Sequence, residues 1–278
     1  MLSMTTDYYM SHWSPEPFLR RIAEAGFSHV HWCHQWNTDF LYSQPEIGQI
    51  RRWFDEFGLQ LLDLHASEGV EKKWMSVLEY ERLAGVELVT NRIDMAASLG
   101  SDVIIMHVHS GRKDAQERGL SDAQLRRSLD ALAPHAGKQN VRIAIENGLF
   151  EVIRPLLSDY PADFLGLCYD SGHGNFARRK SGLDELESIK DRLISVHLHD
   201  NDGKEDQHNP IFSGTVDWPR LARIMAASSY AKCVSMECNM PRSGFEDEEA
   251  FLAHSFETGT AFAKMVEAER KRLAAKRA

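Results

Sequence analysis

The sequence predicts a single (β/α)8 barrel, and three observations predict it. Eight short apolar runs alternate with longer amphipathic stretches along the 278 residues. A parallel strand covered on both faces reads as a near-continuous apolar run, whereas a crossover helix shows a 3.6-residue period. No Pro/Gly/Ser-rich linker divides the chain. Neither G-x-G-x-x-G nor G-x-x-x-x-G-K-[ST] follows the first run, which sets aside the usual nucleotide-binding open sheet. Barrels of this length form one unit, so a single domain is expected over 1–278, with 265–278 as an exposed end of the last helix.

The elements follow in order. Met1–Thr6 is the first strand, and the helix after it, Pro15–Ala25, places Phe18, Ile22 and Ala25 on one face. The second strand is His29–Cys33. Its helix, Gln44–Phe57, has Ser43 as N-cap and Pro45 and Glu46 in the first turn, where they suit the free N–H groups and the helix dipole. Strand Leu59–His65 leads to helix Leu78–Leu99. Strand Asp102–His107 leads to Asp122–His135, capped by Ser121. Strand Val141–Glu146 is followed by a short segment, Phe150–Leu157, that contains Pro155. Leu165–Tyr169, Leu193–His199 and Lys232–Cys238 complete the strands, with helices Leu183–Ile189, Trp218–Ala227 and Asp247–Arg272. Gly26, Gly58 and Gly100 each stop a helix just before a strand.

Composition narrows the function. A formal charge of −9 disfavours a phosphate backbone as partner, since little is gained from releasing its counterions. The four cysteines, Cys33, Cys168, Cys233 and Cys238, form no C-x-x-C pair and sit in strand-like runs, as buried reduced thiols do. The N-terminal stretch lacks a basic and an apolar region of the secretory kind, and no run is long enough to span a bilayer. A cytoplasmic protein with a small-molecule ligand and no membrane or nucleic-acid partner is expected.

In such a barrel, chemistry gathers at the C-terminal ends of the strands. Six of the runs stop at ionisable or amide groups: His65; His107 and His109; Glu146 and Asn147; Asp170 and His173; His197, His199 and Asp200; Glu237 and Asn239. One histidine at a strand end is ordinarily just hydrogen-bonded. Six strands ending this way on the same side would bury several charges at a cost of several kcal/mol each, and a bound cation is the simplest partner for them. Oxygen-rich donors with one or two imidazoles suit Mn²⁺, Co²⁺ or Mg²⁺, and additional histidines shift the balance toward Zn²⁺. His12, His135 and His254 lie off these ends and read as surface residues. Trp13, Trp32 and Trp36 fall in or near the first two strand–helix loops, where an indole could stack on a sugar face or simply pack on the rim. The run His31–Phe40 is a candidate cover for the site.

Taken in order, E-N at Glu146–Asn147, D-S-G-H at Asp170–His173, V-H-L-H-D-N-D-G-x-x-D-x-H at Val196–His208 and S-G-T-V-D-W at Ser213–Trp218 resemble the xylose isomerase-like barrels. That group includes sugar isomerases and epimerases, inosose dehydratases and the endonuclease IV-like enzymes. The resemblance covers the chain from the second strand to the eighth. It implies a metal held by Glu146, Asp170, His197 and Glu237, with Glu146 and Glu237 doubling as the acid/base pair. It implies substrate contacts from His173 and also from His65, His107 and His208, to which Trp32 is added as the indole nearest the second strand end. The implied reaction is proton abstraction beside a carbonyl through a metal-stabilised enediolate, on a sugar or polyol. Homo-oligomers are common in the group.

Two departures and three alternatives belong with this reading. The ketose 3-epimerases carry an arginine soon after the strand-seven histidine, where this chain has Asp200-Asn201-Asp202-Gly203; their further glutamate after strand five is offset here, at Glu151. Ketohexose epimerisation therefore does not carry over. An inosose dehydratase-like lyase would use the same enolate chemistry. An endonuclease IV-like phosphodiesterase would add zinc ligands, for which His65, His107, Asp206 and His208 form a candidate second metal set. Against it stand the acidic charge and the scarcity of basic loop residues, Arg112, Lys113 and Lys204. A non-catalytic sugar-binding barrel would have no need of two opposed glutamates.

Overall fold

The computed structural model describes residues 1–10, 14–108, 116, 119–176 and 182–277. Its strands are β1 (Leu2–Thr5), β2 (His29–Trp32), β3 (Gln60–His65), β4 (Val103–His107), β5 (Arg142–Glu146), β6 (Leu165–Asp170), β7 (Leu193–His197) and β8 (Val234–Met236). The described helices are α1 (Glu16–Glu24), α2 (Gln44–Phe57), α3 (Glu79–Ser98), α4 (Asp122–Gln139), α5 (Phe150–Asp159), α6 (Ser171–Asn175), α7 (Gly182–Ile189), α8 (Trp218–Ala226), α9 (Met240–Ser243) and α10 (Glu248–Arg277).

All strands are parallel, each pairing with its sequence neighbours, and β8 returns to pair with β1. The remaining seam, between β7 and β8, is stitched by one residue beyond β7. Leu198 donates its N–H to Ser235 O at 2.9 Å and accepts the Glu237 N–H at 3.2 Å. This is a TIM barrel.

Local signals explain the elements. In α2, the Ser43 side chain accepts from the Glu46 N–H while the Glu46 carboxylate bonds back to Ser43, so both orphan donors are satisfied. Gly58 ends the helix in the left-handed region, at φ 68°. Two helices run longer than the sequence suggested: α4 passes through Pro134 to Gln139, and α5 through Pro155 to Asp159. A proline removes one backbone bond, and amphipathic packing outweighs that loss here. Leu129, Leu132 and Ala136 stay buried across Pro134, as do Ile153 and Leu156 across Pro155. The last helix extends to Arg277, and its end is tied down in part: Val266 is buried and Arg270 donates to Tyr230 O at 2.7 Å.

The alternation along each strand decides what enters the barrel. Val103, Ile105, Ala144, Cys168 and Ile194 form an apolar cluster of their own, separate from the larger core between sheet and helices. Two residues farther along β4, β5 and β6 stand His107, Glu146 and Asp170. The same parity that plugs the barrel floor with apolar groups thus presents ionisable groups above it. All four cysteines are buried and free. No described helix is long and apolar enough to cross a membrane.

Candidate metal centre and active site

The D-S-G-H segment builds one wall. Asp170, at the end of β6, accepts the His173 N–H at 2.6 Å and so caps α6, which turns the His173 ring back over the site. Ser171 accepts the His199 N–H at 2.9 Å and donates to the His199 carbonyl at 2.6 Å. Gly172 must be glycine, because a Cβ there would stand 2.0 Å from the His199 ring. His199 in turn places Nε2 3.0 Å from Asp170 Oδ2. The V-H-L-H-D segment is fixed from the other side. Asp200, fully buried, accepts from Asn201 N, Val216 N and Trp218 Nε1, which explains the fixed spacing to the T-V-D-W run.

Two glutamates meet at one imidazole. His197 Nδ1 lies 3.3 Å from Glu146 Oε2 and 3.2 Å from Glu237 Oε2. Glu146 also faces His107 Nε2 at 3.1 Å and His173 Nδ1 at 3.1 Å. Burial alone would raise the Glu146 carboxyl, but the imidazoles of His107 and His197 override it and hold it well below the ordinary range. Glu237 behaves likewise, burial being outweighed by His197 and His65. Both groups are therefore carboxylates at neutral pH. His65, pushed down to about 3 by burial, stays neutral and keeps a ring lone pair for a partner.

The ligand atoms of Glu146, Asp170, His197 and Glu237 all lie within 4.8 Å of one another. Several converging atoms have no hydrogen bond to satisfy them: Glu146 Oε2, His197 Nδ1 and His173 Nδ1 are buried and unpartnered. Buried polar atoms ordinarily find partners, so a cluster of orphans aimed at one point fits a cation. Three carboxylates and one imidazole are a donor set for a divalent ion.

The rim is a second cluster. Asp206 Oδ2 lies 3.2 Å from His208 Nε2 and 3.5 Å from His173 Nε2. His208 donates Nδ1–H to Glu237 O at 2.9 Å, and its ring is pushed up to about 10 by Asp206 and Glu237 despite burial. A cavity of about 190 Å³ opens here, lined by Asp7, Trp36, His208, Glu237, Asn239 and Arg242. The backbone carbonyl of Asp206 accepts from Arg242 at 2.9 Å.

The candidate second metal set does not come together as one group. His65 and His107 gather with Glu146, His208 gathers with His199 and Glu237, and Asp206 instead pairs with His173 and His208. Trp32 does not line the site. It follows inward-facing His31 on β2, so it points outward. It is 1% exposed, and its Nε1 donates to Tyr42 Oη at 3.1 Å. Trp36 takes the expected place, with its ring centroid 5.1 Å from that of His65 and 5.3 Å from that of His107. His135 pairs with Asp94 at 2.7 Å, away from the site. His12, Trp13, His109, Arg112 and Lys113 lie outside the described residues. The sequence placed His31 at the start of a candidate cover and left Asp63 unremarked, whereas both are buried on strands inside the barrel, His31 on β2 and Asp63 on β3.

The sequence matches the xylose isomerase-like TIM barrel family over residues 19–257. The chain belongs to that family. It is 34% identical over 249 residues to the uncharacterised protein y4fM of Sinorhizobium fredii, covering 80% of each chain. Among solved structures of the same fold, a D-tagatose 3-epimerase-like protein superposes with TM-score 0.74 at 18% identity, covering 98% of this chain and 99% of that one. An L-ribulose 3-epimerase superposes with TM-score 0.73 at 16% identity, covering 100% and 98%.

Proposed function

We propose that this xylose isomerase-like barrel is a divalent-metal-dependent isomerase or epimerase of a small sugar or polyol. The observation that carries the reading is the meeting of Glu146 and Glu237 at His197 Nδ1, 3.3 and 3.2 Å away, with Asp170 completing the donor group. The sugar epimerases among the structures of like fold support the substrate class.

When bound, a divalent cation polarises a carbonyl and its neighbouring hydroxyl and acidifies the C–H between them. The chain supplies the rest. One glutamate, ionised, takes the proton: for isomerisation it returns that proton at the adjacent carbon, and for epimerisation the other glutamate, having first picked up a proton from water, delivers it to the opposite face. Glu237 has a side chain 13% exposed against 2% for Glu146, so its proton exchanges more readily with water. His107, His173 and His208 line the approach and suit substrate hydroxyls, and Trp36 offers an aromatic face beside them. In this reading Mn²⁺, Co²⁺ or Mg²⁺ suits the oxygen-rich donors, with Zn²⁺ also accommodated.

The test is elemental analysis of chelator-free protein followed by solvent-deuterium incorporation across a keto-sugar panel. A divalent ion lost in Glu146→Gln but retained in His208→Ala, with deuterium entering one sugar beside its carbonyl, is the expected result. Protein that binds no metal under any titration would sink the reading. A second reading, a multi-zinc phosphodiesterase, is favoured by one observation: His65 and His107 offer nitrogens to Glu146 within 4.8 Å, while His173 and His208 both approach Asp206. Loss of zinc in His208→Ala, with cleavage of phosphodiesters, would select it.

A further inference from the structure

Toward the barrel floor, a different set of donors converges on the far side of Glu237. His31, on β2, is fully buried, and its Nδ1 stands 2.7 Å from Asp63 Oδ1. Asp63 is itself held by the Ser195 hydroxyl. A carboxylate beside one ring nitrogen takes its N–H and leaves the other nitrogen as a lone pair, the arrangement common behind metal-binding histidines. That other nitrogen, His31 Nε2, has no hydrogen-bond partner and faces Glu237 Oε1 across 3.9 Å. His65 Nε2 approaches the same oxygen at 3.4 Å. A lone pair facing a carboxylate oxygen is repelled by it, and a cation between the two relieves that repulsion.

The spacing suits an ion. Two atoms each about 2.1 Å from one cation stand roughly 3–4 Å apart at ordinary bond angles. The ligand atoms of His31, Cys33, His65 and Glu237 lie within 4.8 Å of one another. Glu237 meanwhile turns its other oxygen, Oε2, to His197 at 3.2 Å. We propose that His31 Nε2, His65 Nε2 and Glu237 Oε1 hold a second cation in the barrel floor. Glu237 bridges it to the ion of Glu146, Asp170 and His197, and Asp63 fixes the His31 tautomer. Two imidazoles with one carboxylate, and a cysteine in reach, select Zn²⁺ or Co²⁺ over Mg²⁺. Only the bridging rests on the proposed function.

The experiment is anomalous scattering at the zinc edge from crystals of the intact protein grown with Zn²⁺. Two peaks are expected: one at Glu146, Asp170 and His197, the other beside His31 and His65. In His31→Gln the second peak and one equivalent of bound zinc are lost while the first remains. Asp63→Asn, which keeps the side-chain volume, should weaken the second site about 10- to 100-fold. A filled first site with nothing beside His31 overturns the inference and leaves the proposed function standing. A second peak placed among His65, His107 and Glu146 overturns it as well. A peak beside His31 with none at Glu146, Asp170 and His197 supports the inference and sinks the proposed function instead.

Discussion

His208 lies flat on His199: the ring centroids are 3.9 Å apart and the planes differ by 7°. His199 reaches Asp170 at 3.0 Å, and His208 is anchored to the Glu237 carbonyl at 2.9 Å. The stack thus ties Asp170, at the end of β6, to the end of β8. Removing His199 should loosen Asp170 without removing it. We expect His199→Ala to bind Mn²⁺ about 10- to 100-fold more weakly while keeping its fold, measured by competition with a chelating dye. An affinity within twofold of the parent would refute the coupling.

The two glutamates should fail differently. Because each glutamate also belongs to the donor group, the variants are compared with divalent metal in saturating excess, where Glu146→Gln and Glu237→Gln are each expected to lower turnover by roughly 10²- to 10⁴-fold, the usual worth of a placed acid or base. Because Glu237 is the more open of the two, solvent deuterium should enter product mainly through it. Partial exchange of substrate surviving in Glu146→Gln but absent in Glu237→Gln would agree; the reverse pattern would exchange their roles.

The mouth should govern substrate binding and leave chemistry alone. Arg242 and Trp36 line the 190 Å³ cavity without belonging to the ligand group. A hydrogen bond to a charged group contributes about 1.5–3 kcal/mol. Arg242→Ala is therefore expected to raise KM roughly 10- to 100-fold for an anionic substrate and little for a neutral one, with kcat nearly unchanged. Trp36→Ala should raise KM for both. A change confined to kcat would remove them from the binding surface.

A carboxylate also sets the acid stability of a loop beside the site. Asp39 accepts the N–H groups of Val70 at 2.9 Å, Glu71 at 3.1 Å and Lys72 at 3.1 Å. Partial burial opposes its charge, but these three donors prevail and lower its pKa. A group whose folded value is depressed stabilises the fold above its unfolded value, about 3.9, and that contribution disappears as pH falls through the folded value. Asp39→Asn should thus lower Tm at pH 7 and cost progressively less below about pH 4. Melting curves that differ equally at both pH values would dismiss the mechanism.

Much of this was legible beforehand, and for identifiable reasons. Strands covered on both faces leave an unbroken apolar signature, so β3, β4 and β5 begin within one residue of expectation and end at His65, His107 and Glu146 as read. Glu146, Asp170, His197 and Glu237 were matched through a resemblance in their order along the chain, and the barrel brings their ligand atoms within 4.8 Å. Choosing Trp36 over Trp32 depended on strand parity and on a loop path that no local pattern encodes. The pairing of His31 with Asp63 stayed hidden because a polar residue inside an apolar run looks like an interruption until its partner on the adjacent strand is known. The helices expected to end at His135 and Leu157 run on to Gln139 and Asp159, because the packing that carries them on is distant from any local stop signal.

Leu198 supplies both backbone hydrogen bonds that stitch the β7–β8 seam, and its neighbours on either side are His197 and His199. Closure of the ring and the chemistry of the pocket are therefore written in the same three residues. A library meant to change specificity should spare positions 197–199, whose side chains are fully buried beside the seam, and vary the mouth around Trp36, Asp206 and Arg242. Diversification of this lineage should follow the same asymmetry, with divergent mouths over an almost invariant seam.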